Sequence, residues 1–451
     1  IKDKNILGFF TKSNLPNDGI HYEKRWFDSW ELGKIDQIKY NNKKYPIGNI
    51  QIEYNKDITL GFEICRDMWD EERPANYIKT KKNLIIFNPL ASHYAFKKFD
   101  FRKKLVLESS EKYNCSYLSV NLLGNESGKV IFEGDTILAS KGKLLSINNR
   151  FSFDKLSYSH YDIDFVNKPN EIRYESPIIY EEFLDAFSLG LSDYLFKSKV
   201  KGFALSLSGG LDSSSIAILI YEMVKRILER KGNEVFNKEL CLNINFTDKI
   251  HLNVKKVIKK ILFTAYQKTQ NSSKETKESA KILSDFIGSS HYEWSIDSEV
   301  RSITDKISNE TIKTYSWEED DITLQNVQAR VRSPFIWFIA NANNLLLLST
   351  SNRSESSVGY STMDGDSSGS ISPIAGVDKI FIKKLLIYLK EKYNYKCLDN
   401  VLSLKPSAEL KPSNRKQYDE DDLMPYNILS KVERKFVKDR KSPKEIYHIL
   451  K

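Results

Sequence analysis

Short apolar runs separated by turn-forming residues fill the first third of the chain. Their lengths and the polar clusters that bound them are typical of β-strands. The runs that we interpret as strands lie at 58–64, 83–87, 117–120 and 137–139. A helical spacing covers 96–113. The pattern therefore predicts an α/β domain over residues 1–165.

Residues 166–178 break this pattern, because they are polar and contain two prolines. After residue 180, longer segments carry apolar residues at i, i+3 and i+4, the spacing of amphipathic helices. Buried-looking strands alternate with them at 203–207, 240–246 and 345–350. Such alternation favours a parallel α/β sheet. We therefore predict a linker at 166–178 and a second domain at 179–451, in which the polar segment 405–422 forms a mobile loop.

Composition narrows the class of protein. The 451 residues suggest two or three domains, and 40% hydrophobic with 29% charged residues is typical of a folded soluble protein. The four cysteines form no CxxC pair, which argues against a disulfide framework or a zinc site. We find neither a long apolar run nor a signal peptide, so we expect a cytoplasmic protein. The chain opens on Ile1, and we expect a true N-terminal segment to precede it.

The first candidate site is Cys65, at the end of the apolar run in GFEICRDMW. A cysteine at an exposed strand end can act as a nucleophile when its thiolate is stabilised. Lys12 also follows a short apolar run, and a lysine could stabilise both a thiolate and an oxyanion. Taken alone, a buried inert cysteine and a solvated surface lysine are the more common interpretations of these two residues.

Together, GFFTKSNLPN, GFEICRDMW and NPLAS resemble the nitrilase-type glutamine amidohydrolase domain. The resemblance implies that Cys65 attacks the side-chain amide of glutamine beside Lys12, and that Ser92 and Lys98 contact the glutamine. Relatives often carry arginine at the position of Lys98. The family's general-base glutamate would precede Ile1, with Glu23 as a second, supporting glutamate. Asp18 replaces a common aromatic residue.

The second candidate site lies in KGFALSLSGGLDSSS, which predicts a strand, a tight turn and a helix start. Glycines let the backbone approach a phosphate, and a helix N-terminus offers unpaired N–H groups. The segment is neither a Walker A loop nor GxGxxG. S-G-G-x-D-S resembles the PP-loop adenylating enzymes, which cleave ATP between its α and β phosphates. The resemblance implies ATP contacts from Ser208, Gly209, Gly210, Asp212 and Ser213.

Downstream segments resemble the glutamine-dependent NAD synthetases. They are DITLQNVQARVRSPF, LLLLSTSNRSESSVGYSTMDGDSSGSISPI, KPSAELKP and YDEDDLMPY. The implied fold is a partial nitrilase-like α-β-β-α sandwich followed by a PP-loop, Rossmann-like parallel α/β domain. The implied reaction amidates nicotinic acid adenine dinucleotide with ATP and Mg²⁺, using ammonia from glutamine.

The same resemblance assigns residues to these ligands. Asp212 and Glu355 would bind Mg²⁺, and Thr350 and Lys379 would contact ATP. Positions for the dinucleotide are Asn326, Arg330, Glu355, Tyr360, Ser361, Thr362, Asp366 and Lys444. The family also implies a homo-oligomer, usually octameric, with a tunnel that shields ammonia. The six histidines show no metal-ligand spacing, and we interpret them as structural or surface residues.

Two other functions remain open at this level. Another PP-loop amidotransferase, acting on a nucleotide or an aspartate carboxylate, shares the loop, although TLQNVQAR and GYST argue against it. A basic RNA-binding protein with a degenerate amidase fold would use the net charge of +9. Biased composition explains that charge equally well, so we expect no nucleic-acid or membrane partner.

Overall fold

The computed structural model describes residues 1–17, 19–126, 128, 130–166, 170–407, 409–412 and 418–451. Asp18 and parts of the predicted linker and of segment 405–422 lie outside these ranges. The chain divides into two compact units, Ile1–Glu182 and Phe183–Lys451. No helix within the described ranges is long and apolar enough to cross a membrane.

Strands dominate the first unit. They are β1 (Phe9–Phe10), β2 (Ile35–Tyr40), β3 (Lys43–Gly48), β4 (Ile52–Glu53), β5 (Ile58–Phe62), β6 (Asn83–Leu90), β7 (Ser116–Asn121), β8 (Leu123–Glu126), β9 (Val130–Glu133), β10 (Thr136–Ser140) and β11 (Lys143–Ile147). The helix α1 (Lys98–Lys112) lies between β6 and β7, and short 3₁₀ helices cover Glu23–Arg25, Cys65–Trp69 and Pro74–Tyr77.

The main sheet of this unit has the order β11-β10-β7-β6-β5-β4, and its central strands β5, β6 and β7 are parallel. A smaller sheet has the order β1-β3-β2. Parallel neighbours end at the same edge of a sheet, so the segments that follow β5 and β6 emerge side by side. This topology places Cys65 and Ser92 at one edge. The rings of Phe10 and Phe62, 5.6 Å apart, bring the end of β1 to the same region.

The core of the main sheet contains a fully buried charge cluster beside its apolar residues. Arg102 on α1 is inaccessible to solvent, and its Nη2 lies 2.8 Å from Asp135 Oδ1 and also contacts the Glu133 carboxylate. Arg150 contacts Glu133 as well. Burying charges is tolerated only when they are paired. The cluster therefore fixes α1 against the segment that joins β9 to β10.

Helices alternate with parallel strands in the second unit. The strands are β12 (Phe203–Ser206), β13 (Leu262–Lys268), β14 (Ser290–Ser295) and β15 (Leu346–Leu348). The helices are α2 (Ile179–Ser198), α3 (Leu211–Lys231), α4 (Val235–Leu240), α5 (Ile250–Ile261), α6 (Lys274–Ile287), α7 (Asp297–Thr311), α8 (Asp321–Asn343), α9 (Arg353–Val358), α10 (Lys379–Tyr393), α11 (Leu398–Ser403), α12 (Asp419–Asp422), α13 (Tyr426–Glu433) and α14 (Pro443–Leu450), with a π-helical turn at Arg434–Lys438.

The strand order is β14-β13-β12-β15. The chain adds β13 and β14 on one side of β12 and then returns to add β15 on the other side, so a topological switch point lies between β12 and β15. All pairs in this sheet are parallel. In open parallel sheets, ligands bind beyond the carboxyl ends of the strands at such a switch point. The loop after β12 and the loop after β15 meet there, and these are the loops that carry Ser208 and Thr350. The predicted α/β class and parallel sheet are confirmed.

One predicted strand is wrong. Residues 240–246 are rich in apolar side chains, yet they form the end of α4 and an irregular segment. Cys241 and Asn243 adopt φ values of 54° and 52°, in the left-handed region, which interrupts an extended run. The strand next to β12 is instead β13, which follows α5. Ile244 is the only buried residue at 241–248. The segment therefore has too little contact with the core to join the sheet.

We expect Arg102→Leu to lower the free energy of unfolding of the first unit by about 3–5 kcal/mol, because it leaves the buried Asp135 carboxylate without its cation and leaves Glu133 with Arg150 alone. Hydrogen exchange measured by mass spectrometry should show faster exchange in β7 and β10. Lys104→Ala removes an exposed ion pair from the same helix and should change stability by less than about 0.5 kcal/mol. Equal protection in both variants would contradict a stabilising role for the cluster.

Candidate active sites

Cys65 begins the 3₁₀ helix that follows β5, and its backbone is strained. Its φ is +50°, a value that costs a non-glycine residue free energy and persists only where neighbours enforce it. Its backbone N–H donates to Asn88 Oδ1 at 2.8 Å. The residue is partly exposed and unpaired with any cysteine. The fold therefore presents a free thiol on a sharp turn, as a nucleophile requires.

Lys12 is held close to this turn by its neighbours. Its Nζ contacts the Glu23 carboxylate, and only 16% of its side chain is exposed. Two residues further, the backbone N–H of Asn14 donates to Asp67 Oδ1 at 2.8 Å, which joins the Lys12 segment to the Cys65 helix. Burial raises the pKa of the Asp67 carboxyl, whereas this hydrogen bond and the positive charge of Lys12 act to lower it. The predicted supporting glutamate, Glu23, is thus paired with the predicted lysine.

Ser92 follows β6 and Lys98 begins α1, and the two side chains have different surroundings. Ser92 is buried, and its Oγ accepts from Arg102 Nη1 at 3.4 Å. Lys98 Nζ lies 3.3 Å from His93 Nδ1, which in turn lies 3.3 Å from His21 Nε2. Nothing in the sequence pattern pairs these two histidines, because 72 positions separate them.

In the second unit, the loop after β12 curls around its own hydroxyl groups. Ser213 Oγ accepts from the backbone N–H of Ser208 at 3.2 Å and lies 3.0 Å from Ser208 Oγ. Gly209 has φ +81°, and a Cβ atom there would lie 2.1 Å from the carbonyl oxygen of Thr276. The carbonyl of Gly209 accepts from Ser279 Oγ at 2.9 Å. Only glycine fits this contact between the loop and α6.

Beside this loop, one buried ammonium group is surrounded by carboxylates. Lys379 Nζ lies 2.7 Å from Glu355, 3.1 Å from Asp212 and 3.2 Å from Asp419. Burial acts to lower the pKa of Lys379, but the three carboxylates outweigh it and hold the pKa well above its usual range. Burial and the nearby Asp212 raise the pKa of Glu355 to about 7, against the opposing effect of Lys379.

A cleft of about 710 Å³ opens over this cluster and the loop. Its lining includes most of the residues predicted to contact ATP, namely Ser208, Gly210, Asp212, Ser213, Thr350 and Lys379. Among the positions predicted for the dinucleotide, Glu355, Tyr360 and Asp366 also line it. The size suits a nucleotide-sized ligand.

The other predicted dinucleotide positions lie around this cleft or away from it. Thr362 Oγ1 donates to Asn326 Oδ1 at 2.9 Å, and the backbone N–H of Thr362 donates to Asp366, which lines the cleft. Arg330 Nε donates to the carbonyl of Met363, and Ser361 is exposed. Lys444 is exposed on α14 and is absent from the described lining of the cleft.

Sequence reasoning missed three polar residues that the fold brings to this cleft. Asn352 Nδ2 donates to Asp212 Oδ1 at 3.0 Å, and its own Oδ1 caps α9 by accepting from the backbone N–H of Glu355. Asp419 contacts Lys379 from a different helix. Arg332 lines the cleft near Asp366. An N-cap pattern, Asn followed by Glu at N3, could have identified Asn352.

Two site-bearing units in one chain define a class: an amidase-like unit with a strained free cysteine, and an α/β unit with a pyrophosphate-binding loop at its switch point. This is the architecture of a two-domain PP-loop amidotransferase. Comparison with known proteins identifies the family within that class.

Residues 183–451 match the family model described as NAD synthase. A crystal structure of a glutamine-dependent NAD(+) synthetase from Cytophaga hutchinsonii is 40% identical with a TM-score of 0.83, covering 98% of this chain and 70% of that one. The putative glutamine-dependent NAD(+) synthetase of Schizosaccharomyces pombe is 28% identical over 495 residues, covering 94% of this chain and 70% of the relative. The chain belongs to the glutamine-dependent NAD(+) synthetase family.

A more distant structure agrees with the fold. Glutamine-dependent NAD+ synthetase from Acinetobacter baumannii, in complex with ADP, is 20% identical with a TM-score of 0.65 and covers 97% of this chain and 70% of that one. The resemblance predicted from the two sets of motifs is confirmed, and so is the α/β fold class.

We expect Gly209→Ala to lower the free energy of unfolding of the second unit by more than about 2 kcal/mol, because φ is positive and the new Cβ would meet the Thr276 backbone. Thermal unfolding measures the change. Gly210→Ala is the matched control, since its Cβ would meet only Ser208 Oγ at 3.5 Å. Similar melting temperatures for the two variants would refute this account of the loop.

Proposed function

We propose that this protein amidates nicotinic acid adenine dinucleotide to NAD, using ATP and ammonia released from glutamine. Family membership supports the overall reaction. The observation that carries the synthetase half is the contact of Lys379 with Asp212 and Glu355 beside the S-G-G-x-D-S loop. We assign the glutaminase half to Cys65, Lys12, Ser92 and Lys98.

The proposed glutaminase step uses the Cys65 thiolate. Its sulfur attacks the side-chain amide carbon of glutamine, the C–N bond breaks, and the nitrogen leaves as ammonia after gaining a proton. Water then hydrolyses the thioester to give glutamate and restore the thiol. Lys12 would stabilise the oxyanion that forms in both halves. Ser92 and Lys98 would bind the glutamine.

The proposed synthetase step activates a carboxylate, because a bare carboxylate is a poor electrophile. An oxygen of the pyridine carboxylate attacks the α phosphorus of ATP, and pyrophosphate leaves. Ammonia then attacks the carbonyl carbon of this adenylate, AMP leaves, and the amide nitrogen loses a proton. Products are NAD, AMP, pyrophosphate and glutamate. The loop residues 208–213 and Thr350 would bind ATP, and Lys379 would contact its phosphates.

Asp212 and Glu355 are suited to a magnesium ion. Burial raises the pKa of Glu355, and the nearby Asp212 carboxylate raises it further; a cation beside both carboxylates would offset their repulsion. Within the described ranges no cluster of three or more His, Cys, Asp or Glu side chains forms a ready metal site. Mg²⁺ needs fewer protein ligands, because it takes oxygens from phosphates and water. When bound, it would neutralise charge on the leaving pyrophosphate.

The dinucleotide would bind at the same cleft. Tyr360 and Asp366 line it, and Thr362 and Asn326 are joined by a hydrogen bond at its border. We also assign Arg330, Ser361 and Lys444 to this substrate from their motif positions. We also propose that the protein is cytoplasmic and forms a homo-oligomer. Sedimentation of the purified protein tests the oligomeric state.

We expect Asp212→Asn and Glu355→Gln each to lower NAD formation by orders of magnitude with either glutamine or ammonium, because both remove charge from the adenylation site. The assay mixes protein, ATP, Mg²⁺, nicotinic acid adenine dinucleotide and one nitrogen source, and measures NAD and pyrophosphate. Exposed Asp364→Asn is a control on the neighbouring loop. Near-normal ammonium-driven synthesis in either site variant would exclude the metal assignment.

We expect Cys65→Ser in the full-length protein to abolish glutamine-dependent NAD formation and to leave ammonium-dependent formation unchanged, because only the amidase step needs a thiolate. An electrophilic glutamine analogue should label the wild-type protein once, at Cys65. Cys115→Ser is the control, since that cysteine is buried in the core. Labelling at another cysteine, or continued use of glutamine by Cys65→Ser, would remove Cys65 from this role.

A further inference from the structure

The strained backbone of Cys65 is held by one side chain from the adjacent strand. Asn88 lies on β6, is 1% exposed, and accepts the Cys65 N–H through its Oδ1. A positive φ at a non-glycine residue needs such support from the structure around it. The orientation of the Asn88 amide therefore decides whether Cys65 keeps this conformation, because a flipped amide would present a donor to a donor.

Tyr117 fixes that orientation. Its hydroxyl donates to Glu63 Oε2 at 2.6 Å, and its oxygen accepts from Asn88 Nδ2 at 2.9 Å. A tyrosine hydroxyl has a single proton, so donation to Glu63 leaves only its lone pairs for Asn88. Burial, with Glu63 next to it, holds the pKa of Tyr117 well above its usual range, so the hydroxyl keeps that proton.

Glu63 is in turn committed as an acceptor. Its Oε1 accepts from the backbone N–H of Ala75 at 3.2 Å and lies 3.3 Å from Arg73 Nε. Glu63 and Tyr117 are fully buried, so water is not available to reverse the direction of the chain. The Arg73 guanidinium can only donate, so Glu63 accepts. Tyr117 then donates to Glu63 and accepts from Asn88, and Asn88 accepts from the backbone N–H of Cys65.

We propose that Asn88 and Tyr117 are positioning residues for glutamine hydrolysis, and that the chain Arg73–Glu63–Tyr117–Asn88, which we name the Cys65 tether, holds the thiol in its reactive position. This inference rests on the proposed role of Cys65 as the nucleophile. The tether fixes the backbone of Cys65, and through it the position of the sulfur, whereas we assign glutamine binding to other residues. Loss of the tether should therefore lower kcat and leave KM for glutamine nearly unchanged.

The first experiment removes one hydroxyl. In the full-length protein, Tyr117→Phe should lower kcat for glutamine-dependent NAD formation about 10- to 100-fold, the cost of a misplaced reacting group. KM for glutamine should stay within about twofold, and ammonium-dependent formation should not change. Ser119→Ala is the matched control, because that buried hydroxyl on the same strand has no hydrogen-bond partner among the described residues.

The second experiment reverses the direction of the tether. Asn88→Asp keeps an acceptor for Cys65 but places a second acceptor against Tyr117, whose one proton then cannot serve both neighbours. Adding Glu63→Gln supplies an amide donor to Tyr117, so the tyrosine proton can turn toward position 88. We expect the double variant to recover glutamine-dependent kcat by about tenfold over Asn88→Asp alone. A role in packing alone predicts no such rescue.

The outcomes separate this inference from the proposed function. If Cys65→Ser still uses glutamine, the nucleophile assignment fails, and the tether with it. If Cys65→Ser is inactive with glutamine while Tyr117→Phe keeps wild-type kcat, only the tether is wrong. A correctly folded double variant no better than Asn88→Asp also overturns it. Should the position 88 variants fail to fold, Tyr117→Phe decides alone.

Discussion

The site of the second unit depends on one buried ammonium group. Lys379 stands at the start of α10 and contacts Asp212 on α3, Glu355 on α9 and Asp419 on α12. A lysine so deeply buried requires paired charges, so the contact holds together four segments that are distant in the sequence. Three carboxylates against one ammonium leave a surplus of negative charge, and burial together with the nearby Asp212 raises the pKa of Glu355. This surplus of negative charge is the feature that supports our proposal of a magnesium ion at Asp212 and Glu355.

Both units position chemistry by the same rule of sheet geometry. Parallel strands end at one edge, and the loops that leave them meet there. In the first unit, β5 and β6 deliver Cys65 and Ser92 to that edge. In the second, β12 and β15 deliver the pyrophosphate loop and Thr350. Function differs because the loop residues differ, while the scaffold supplies only rigid and adjacent starting points.

Buried polar groups do more in the first unit than stabilise it. The Arg102 cluster pairs charges around a helix. The Cys65 tether instead fixes which group donates and which accepts in each hydrogen bond between Arg73 and the strained backbone of Cys65. Each member of the tether has a single compatible hydrogen-bonding state, because its neighbours can act only as donor or only as acceptor toward it and water is excluded. Such a network specifies one backbone conformation where an apolar core would tolerate several.

The sequence by itself determined the α/β class and the family, and it identified Cys65 and the pyrophosphate loop as candidate sites, because periodicity and short motifs are local properties. It predicted a strand at 240–246 that is absent, since an apolar run alone does not show whether a segment finds a partner strand. Only the tertiary structure decided that Asp419 and Asn352 join the Lys379 cluster, and that Asn88 and Tyr117 lie behind Cys65. These contacts join residues 23 to 140 positions apart, and their energies depend on burial, a quantity that belongs to the folded chain and not to any segment of it.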